Sequence, residues 1–136
     1  MTKATTTDVQ NPKAARAERL TIRDATDQDR CSEVRLWEAL TGDVPGKALM
    51  MNGKQIGYLG NTYRERFPYL MTSVDDALAL AARYGLEVRG VIRDKEQPGY
   101  WKAVCLFNGK PVSGNGKLMG SAITVAVIDA LTATDK

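Results

Sequence analysis

The chain has 136 residues, of which 43% are hydrophobic and 26% are charged, and its formal net charge is +3. This composition is typical of a globular protein with one domain, and the small positive charge only weakly favours anionic partners. The sequence contains no histidine, which removes the commonest general base and the commonest metal ligand. We therefore predict a non-enzymatic protein with no catalytic residue, no metal ligand and no cofactor.

The two cysteines, Cys31 and Cys105, lie in apolar patterns and match neither a disulfide framework nor a zinc site. The N-terminus lacks the apolar run of a secretory signal, and no stretch approaches the length of a membrane span. We therefore predict a cytoplasmic protein whose partners do not include a membrane.

Residues 1–19 are rich in Thr, Ala, Lys and Arg and contain few large apolar side chains. Such a segment cannot bury enough surface to offset the entropy lost on ordering. We predict a flexible basic tail over residues 1–19 and a single α+β domain over residues 20–136.

The first predicted helix lies in TDQDRCSEVRLWEALTG, with Thr26 or Asp27 as its N-cap and Gly42 at its end. Its apolar residues recur at helical spacing: Cys31, Val34, Trp37 and Leu40. Because Trp37 lies within this stripe, we interpret it as a core residue.

Residues 43–71 are predicted to form a short hairpin followed by a loop. In KALMMNGKQIGYLGN, apolar residues flank the pair Asn52-Gly53, which is a strong local hairpin signal.

The loop after this hairpin combines aromatic and basic side chains, namely Tyr58, Tyr63, Arg64, Arg66, Phe67 and Tyr69. Aromatic faces beside guanidinium groups suit stacking on a nucleobase and pairing with its phosphate. The alternative is that Tyr58, Phe67 and Tyr69 pack beneath the loop as a small secondary core. Tyr63, Arg64 and Arg66 are therefore the candidate ligand-binding residues of this loop.

The second predicted helix lies in TSVDDALALAARYG. Ser73 and Asp76 form an Asp version of the capping box, and Gly85 ends the helix. Asp75 and Asp76 resemble a pair of catalytic carboxylates, but first-turn carboxylates are stabilised by the helix dipole, so we interpret them as capping residues.

Three strands are predicted next, in LEVRGVIRD, GYWKAVCLFNG and GKPVSG, and Pro111 indicates that the third lies at a sheet edge. In the first strand, alternation predicts one face made of Leu86, Val88, Gly90 and Ile92.

The last element, LMGSAITVAVIDALTA, is predicted to be a helix that is apolar on many sides. Such a helix must be packed deeply or be buried by a second subunit, which predicts a homodimer. Together these elements predict an α+β fold, an α/β sandwich in which a small antiparallel sheet of three to five strands packs with about three helices.

The stretch FNGKPVSGNGK superficially resembles a phosphate-binding P-loop. That motif fails here, because Pro111 replaces its first glycine and Leu118 replaces its Ser or Thr. Residues 114–117 nevertheless precede the last predicted helix, whose free N–H groups attract anions. The candidate residues are Asn115 and Lys117, and the alternative is a segment that only turns the chain.

The segment YWKAVCLFNGKPVSGNGKLMGSAITVAVIDAL resembles the C-terminal half of a double-stranded-RNA-binding domain, which also closes with a hairpin, a Gly-rich loop and an Ala-rich helix. That family contacts phosphates through lysines at the start of the helix. Only Lys117 matches here, since Leu118, Met119 and Gly120 occupy the other positions. The resemblance implies nucleic acid as a second class of partner.

From Asp27 to its end, the chain also resembles the phage ABA sandwich domains, a family of small phage-encoded proteins with a Y-T-x-S-x-D-A-A-L type segment. The matching residues are Tyr69, Thr72, Ser73, Asp75, Ala77 and Leu78, with Leu70 and Met71 as a departure. The resemblance implies an α/β sandwich of phage origin that acts in the cytoplasm of a bacterial host. By association, small phage proteins of this kind often interfere with host defence.

We therefore predict a phage-type binding protein that antagonises host defence by binding an anionic partner. The partner would be a nucleotide-like small molecule or an acidic surface on a host protein, and the alternative function is a nucleic-acid-binding module. The predicted ligand-binding residues, whose cations would pair with phosphate or carboxylate, are Tyr63, Arg64, Arg66, Asn115 and Lys117.

Overall fold

A computed structural model describes residues 9–42, 48–51, 54–58 and 68–132 of the chain. In chain order its elements are α1 (Pro12–Ala17), α2 (Arg19–Asp24), α3 (Arg30–Thr41), β1 (Ala48–Met51), β2 (Lys54–Tyr58), α4 (Val74–Arg83), β3 (Leu86–Arg93), β4 (Trp101–Phe107), β5 (Lys110–Gly116) and α5 (Met119–Thr132). The strands form a two-stranded sheet, β1-β2, and a three-stranded antiparallel sheet in the order β3-β4-β5. The predicted α+β class is confirmed.

The turn between β4 and β5 is a two-residue hairpin turn. Asn108 and Gly109 have φ values of 54° and 78°, and Phe107 pairs with Lys110 across the turn. Two consecutive positive φ values are what a type I′ turn requires, which explains the Asn-Gly pair. At the earlier Asn-Gly pair, Met51 of β1 pairs with Lys54 of β2, whereas residues 52 and 53 lie outside the described residues.

A β-bulge in β3 reverses part of the predicted alternation. Val88 pairs with Cys105, but the next paired residue is Gly90, opposite Val104, so Arg89 is an extra residue. One extra residue exchanges the two faces of a strand. The core side therefore passes from Val88 to Val91, while Ile92 is 51% exposed. The prediction that Ile92 lies on the same face as Leu86 and Val88 is wrong.

Helix α5 is the central element of the fold. All residues from Gly120 to Ile128 are buried, because α5 packs on the three-stranded sheet and also contacts α1, α2 and α4. The apolar surface that led us to predict a homodimer is thus covered within one chain. No helix in the described part of the chain is both long enough and apolar enough to cross a membrane.

Two glycines of β5 allow α5 to approach the sheet closely. A Cβ at Gly114 would overlap the backbone nitrogen of Ala126, and one at Gly116 would lie 2.8 Å from the backbone nitrogen of Ala122. We predicted that residues 114–117 form the entrance of the last helix. In the structure residues 114–116 belong to β5, and the glycines serve helix–sheet packing.

The N-terminal segment differs from the predicted flexible tail. Helix α1 lies within residues 1–19, with the side chain of Asn11 accepting a hydrogen bond from the backbone N–H of Ala14 at 3.1 Å. Ala15 is fully buried, and Arg19 at the start of α2 forms a two-point ion pair with Asp129 of α5, at 2.6 and 2.9 Å. These long-range contacts order a segment whose composition favours disorder, and residues 1–8 lie outside the described residues.

Helices α3 and α4 correspond to two of the predicted helices. Ser73 caps α4 by accepting a hydrogen bond from the N–H of Asp76 at 3.1 Å, as predicted. The other half of the predicted capping box is absent, because the Asp76 carboxylate accepts from the N–H of Tyr69 at 2.8 Å, and the N–H of Ser73 donates to the Tyr69 carbonyl. The predicted N-cap of α3 is wrong, because Asp29, rather than Thr26 or Asp27, accepts the hydrogen bond from Ser32 at 3.0 Å. Trp37 is half-buried and packs against the core as predicted.

The close contact between β5 and α5 predicts a large difference between two glycine substitutions. We expect Gly114→Ala to lower the free energy of unfolding by about 2 kcal/mol or more, because the new methyl group overlaps the backbone of α5. Gly90→Ala in β3 is the control, since nothing lies within 4 Å of its added Cβ, and we expect a change within about 0.5 kcal/mol. Urea unfolding measures both, and equal effects would contradict the packing role.

Candidate binding site

The predicted ligand-binding residues fall into two groups. Tyr63, Arg64 and Arg66 lie outside the described residues. Asn115 lies in β5, and Lys117 directly follows this strand. The structure therefore locates only the second group, and it gives the two residues different surroundings.

Asn115 holds the turn between β3 and β4. Its side-chain amide donates hydrogen bonds to Asp94 at 3.2 Å and to Gln97 at 2.8 Å. The same Asp94 carboxylate accepts the backbone N–H of Glu96 at 3.0 Å. The bond from Asn115 is the main reason why the pKa of Asp94 lies below its ordinary value. Because both amide hydrogens are engaged beside a carboxylate, Asn115 does not offer them to an anion.

Lys117 joins the end of β5 to the end of α2. Its backbone N–H donates to the carbonyl oxygen of Arg23 at 2.9 Å. Its ammonium nitrogen lies 5.6 Å from the ring centroid of Tyr100, and the guanidinium carbon of Arg23 lies 5.8 Å from the same centroid. Two cations are thus within cation–π range of one aromatic ring.

Asp24 anchors both Arg23 and Tyr100. Its carboxylate accepts hydrogen bonds from Arg23 Nε at 2.9 Å, from Arg23 Nη2 at 3.3 Å and from the Tyr100 hydroxyl at 2.7 Å. We call Arg23, Asp24, Tyr100 and Lys117 the basic–aromatic cluster. Its three ionic side chains carry a net positive charge, and the charge of Lys117 helps to lower the pKa of Asp24.

The hydrogen bonds around Asp24 hold Arg23, Asp24 and Tyr100 in their ordinary charge states. The bond between Arg23 and Asp24 raises the pKa of Arg23 and lowers that of Asp24, and the Tyr100 bond lowers the pKa of Asp24 further. The pKa of Tyr100 is raised, chiefly by its hydrogen bond to Asp24. These shifts keep Arg23 and Asp24 charged and the Tyr100 phenol neutral near neutral pH.

One side of the first turns of α5 packs against residues 70 and 71. A Cβ at Gly120 would lie 2.5 Å from the carbonyl oxygen of Met71, and the hydroxyl of Thr124 donates to the carbonyl of Leu70 at 2.7 Å. Of the predicted anion-binding residues Asn115 and Lys117, Lys117 lies beside Arg23 and Tyr100.

Sequence reasoning missed Arg23, Asp24 and Tyr100. Arg23 and Asp24 stand near the predicted boundary between tail and domain, and Tyr100 precedes a strand by one residue. Only the packing of α2 beside the end of β5 brings these positions together, and no local pattern in the sequence indicates it.

The thiol of Cys105 is buried in the core. Burial raises the pKa of Cys105 to about 11, so the thiol is neutral and behaves as the apolar core residue that we predicted. Among the described residues, no group of three or more Cys, Asp or Glu side chains is arranged to hold a metal ion.

No protein-family model, curated protein or solved structure matches this chain. The resemblances to phage ABA sandwich domains and to double-stranded-RNA-binding domains therefore stay predictions from the sequence.

The bond between Tyr100 and Asp24 predicts a measurable titration. The carboxylate opposes loss of the phenolic proton, so we expect Asp24→Asn to lower the pKa of Tyr100 toward its ordinary value of about 10. Tyrosinate absorbance, taken as the difference between each protein and its Tyr100→Phe derivative, isolates this one phenol. Glu96→Gln removes a nearby exposed carboxylate as the control, and an unchanged titration in Asp24→Asn would contradict the arrangement.

Proposed function

We propose that this chain is a non-enzymatic binding protein and that its anionic ligand contacts the basic–aromatic cluster. The observation that carries the proposal is the placement of Arg23 and Lys117 around Tyr100, at 5.8 and 5.6 Å from the ring centroid. Two cations and an aromatic ring on a partly exposed surface are the groups that recognise phosphate or carboxylate beside an apolar or planar body.

The hydrogen-bonding capacity left in the cluster supports the same proposal. Asp24 engages Nε and Nη2 of Arg23, while a guanidinium group has further N–H donors on both terminal nitrogens. Lys117 uses its backbone N–H for Arg23, so the donors of its ammonium group are separate from that contact. An incoming anion could bridge these two cations without breaking the bond between Asp24 and Tyr100.

The ligand class follows from this chemistry and from the sequence. A nucleotide-like molecule supplies both phosphate and a planar base, and an acidic surface on a host protein supplies carboxylates. Tyr63, Arg64 and Arg66 remain part of the proposed binding residues on sequence grounds. The phage origin and the antagonism of host defence rest on the family resemblance and form part of the proposal.

A nucleic-acid-binding module is the second candidate function. It is favoured by the element order α4-β3-β4-β5-α5, in which the β3–β4 turn and the start of α5 meet where Tyr100 lies beside Lys117. Asp94 and Glu96 in the same turn are acidic, but Lys95 lies between them and the charge of Lys102 acts on Asp94, so the turn does not oppose a phosphate backbone.

Three probes separate these ligand classes: adenosine 5′-monophosphate, a hexaglutamate peptide and an RNA duplex of about 16 base pairs. We expect the nucleotide or the peptide to shift the backbone NMR signals of residues 23, 24, 100 and 117. We expect Lys117→Gln to raise the dissociation constant about tenfold, because one charge-assisted contact is lost.

Lys110→Gln is the matched control, since it removes the same charge from an exposed lysine at the other end of β5. Thermal unfolding of both variants should match that of the unmodified chain. Equal weakening by the two substitutions would indicate unspecific attraction and refute the site. If only the duplex binds, and if its affinity falls as a high power of the salt concentration, the second candidate function is supported and the proposed function is refuted.

A further inference from the structure

Residues of α3 and α4 line a cleft of about 320 Å³. In the described residues no Cα atom of α3 lies within 8 Å of a Cα atom of α4, so the two helices leave a space that only side chains span. The described residues that line the cleft are Trp37, Pro68, Asp76, Ala79, Leu80 and Arg83. Most of these side chains are apolar and a few are polar, which is the usual lining of a small-molecule site of this size.

Arg83 presents a cation to this cleft. Its guanidinium carbon lies 5.3 Å from the ring centroid of Trp37 and 5.9 Å from that of Tyr84. Within the described part of the chain, the side chain of Arg83 has these ring contacts but no hydrogen bond and no ion pair. A guanidinium group held by aromatic faces keeps the N–H donors at its edge for a carboxylate, which it binds in a two-point pair.

Asp76 adds an acceptor on the same face of α4. It precedes Arg83 by seven residues, which is two helical turns and about 10 Å along the axis. The carboxylate accepts the backbone N–H of Tyr69 at 2.8 Å through one oxygen, and a carboxylate can accept further hydrogen bonds. Ala79 and Leu80 lie between Asp76 and Arg83 in the sequence. The cleft therefore offers an acceptor, an apolar wall and a cation in succession along the helix.

We propose that this cleft binds a small aromatic carboxylate that carries a hydrogen-bond donor at the end opposite its carboxylate. The carboxylate pairs with the guanidinium group of Arg83, the ring packs against Trp37 and Leu80, and the donor faces Asp76. A second carboxylate at the far end of the ligand would meet the like charge of Asp76, so the site selects monocarboxylates.

The cleft is separate from the basic–aromatic cluster. Arg83 precedes Leu86 by three residues, and Leu86 pairs with Phe107 at one end of β4. Tyr100 directly precedes Trp101, at the other end of that strand. The proposal goes beyond the proposed function and does not rest on it, so each site can fail a test without the other.

Three probes test the ligand class: 4-hydroxybenzoate, benzoate, which lacks the donor, and 4-hydroxybenzamide, which lacks the charge. We expect 4-hydroxybenzoate, at up to about 10 mM for a ligand of this size, to shift the NMR signals of the Trp37 indole N–H and of the backbone at residues 79, 80 and 83. Benzoate should bind more weakly, and the amide about tenfold more weakly. Equal affinities of the three probes, no shifts, or shifts at residues 23, 100 and 117 instead would overturn the proposal.

A matched pair of arginine substitutions tests the cation. We expect Arg83→Gln to raise the dissociation constant of 4-hydroxybenzoate about tenfold, because the two-point pair is lost. Arg93→Gln is the control, since the guanidinium carbon of Arg93 lies 4.5 Å from the ring centroid of Trp101 but Arg93 does not line this cleft. Equal weakening by the two substitutions would overturn the proposal. The comparison of the acid with its amide uses the unmodified chain, so it decides the matter if Arg83→Gln fails to fold.

Two other occupants of the cleft would give different signals. If the signals of Trp37 and Arg83 shift with protein concentration and without a probe, a second copy of the chain fills the cleft. If the Trp37 indole shows nuclear Overhauser contacts to residues 59–67 that persist at the highest probe concentration, a neighbouring segment of the chain fills it. Either result would overturn the proposal.

Discussion

The close contact between β5 and α5 is the constraint on which the rest of the structure depends. Gly114 and Gly116 lie so near the backbone of α5 that a side chain at either position would collide with it. This contact lets the helix lie flat on the sheet, and the continuous burial from Gly120 to Ile128 follows from it. Since burial of apolar surface is the main favourable term in folding, the two glycines permit packing that stabilises the described part of the chain.

The N-terminal helices depend on that packed helix. Asp129 of α5 receives the two-point ion pair from Arg19, and the fully buried Ile22 packs in the core that α5 organises. These contacts place the end of α2 beside the end of β5, where the carbonyl of Arg23 receives the N–H of Lys117. The basic–aromatic cluster is therefore a product of tertiary packing, and its charges are set by the hydrogen bonds around Asp24.

The end of β5 and the cluster meet at Lys117. The bond between the N–H of Lys117 and the carbonyl of Arg23 joins the end of β5 to the end of α2. The resulting arrangement assigns different roles to two residues that seemed equivalent in the sequence, since Asn115 secures the β3–β4 turn through Asp94 and Gln97 whereas Lys117 faces Tyr100.

The sequence by itself determined the features that depend on neighbouring residues. The Asn-Gly turn at residues 108 and 109, the cap at Ser73 and the apolar character of α5 follow from local backbone geometry and periodicity. Only the tertiary structure determined that a bulge lies at Arg89, that residues 12–19 are helical and packed, and that Arg23 lies beside Tyr100 and Lys117. Each of these depends on which distant segments pack together, because a one-residue slip, an ion pair to α5 or a shared aromatic ring leaves no periodic signal in the chain.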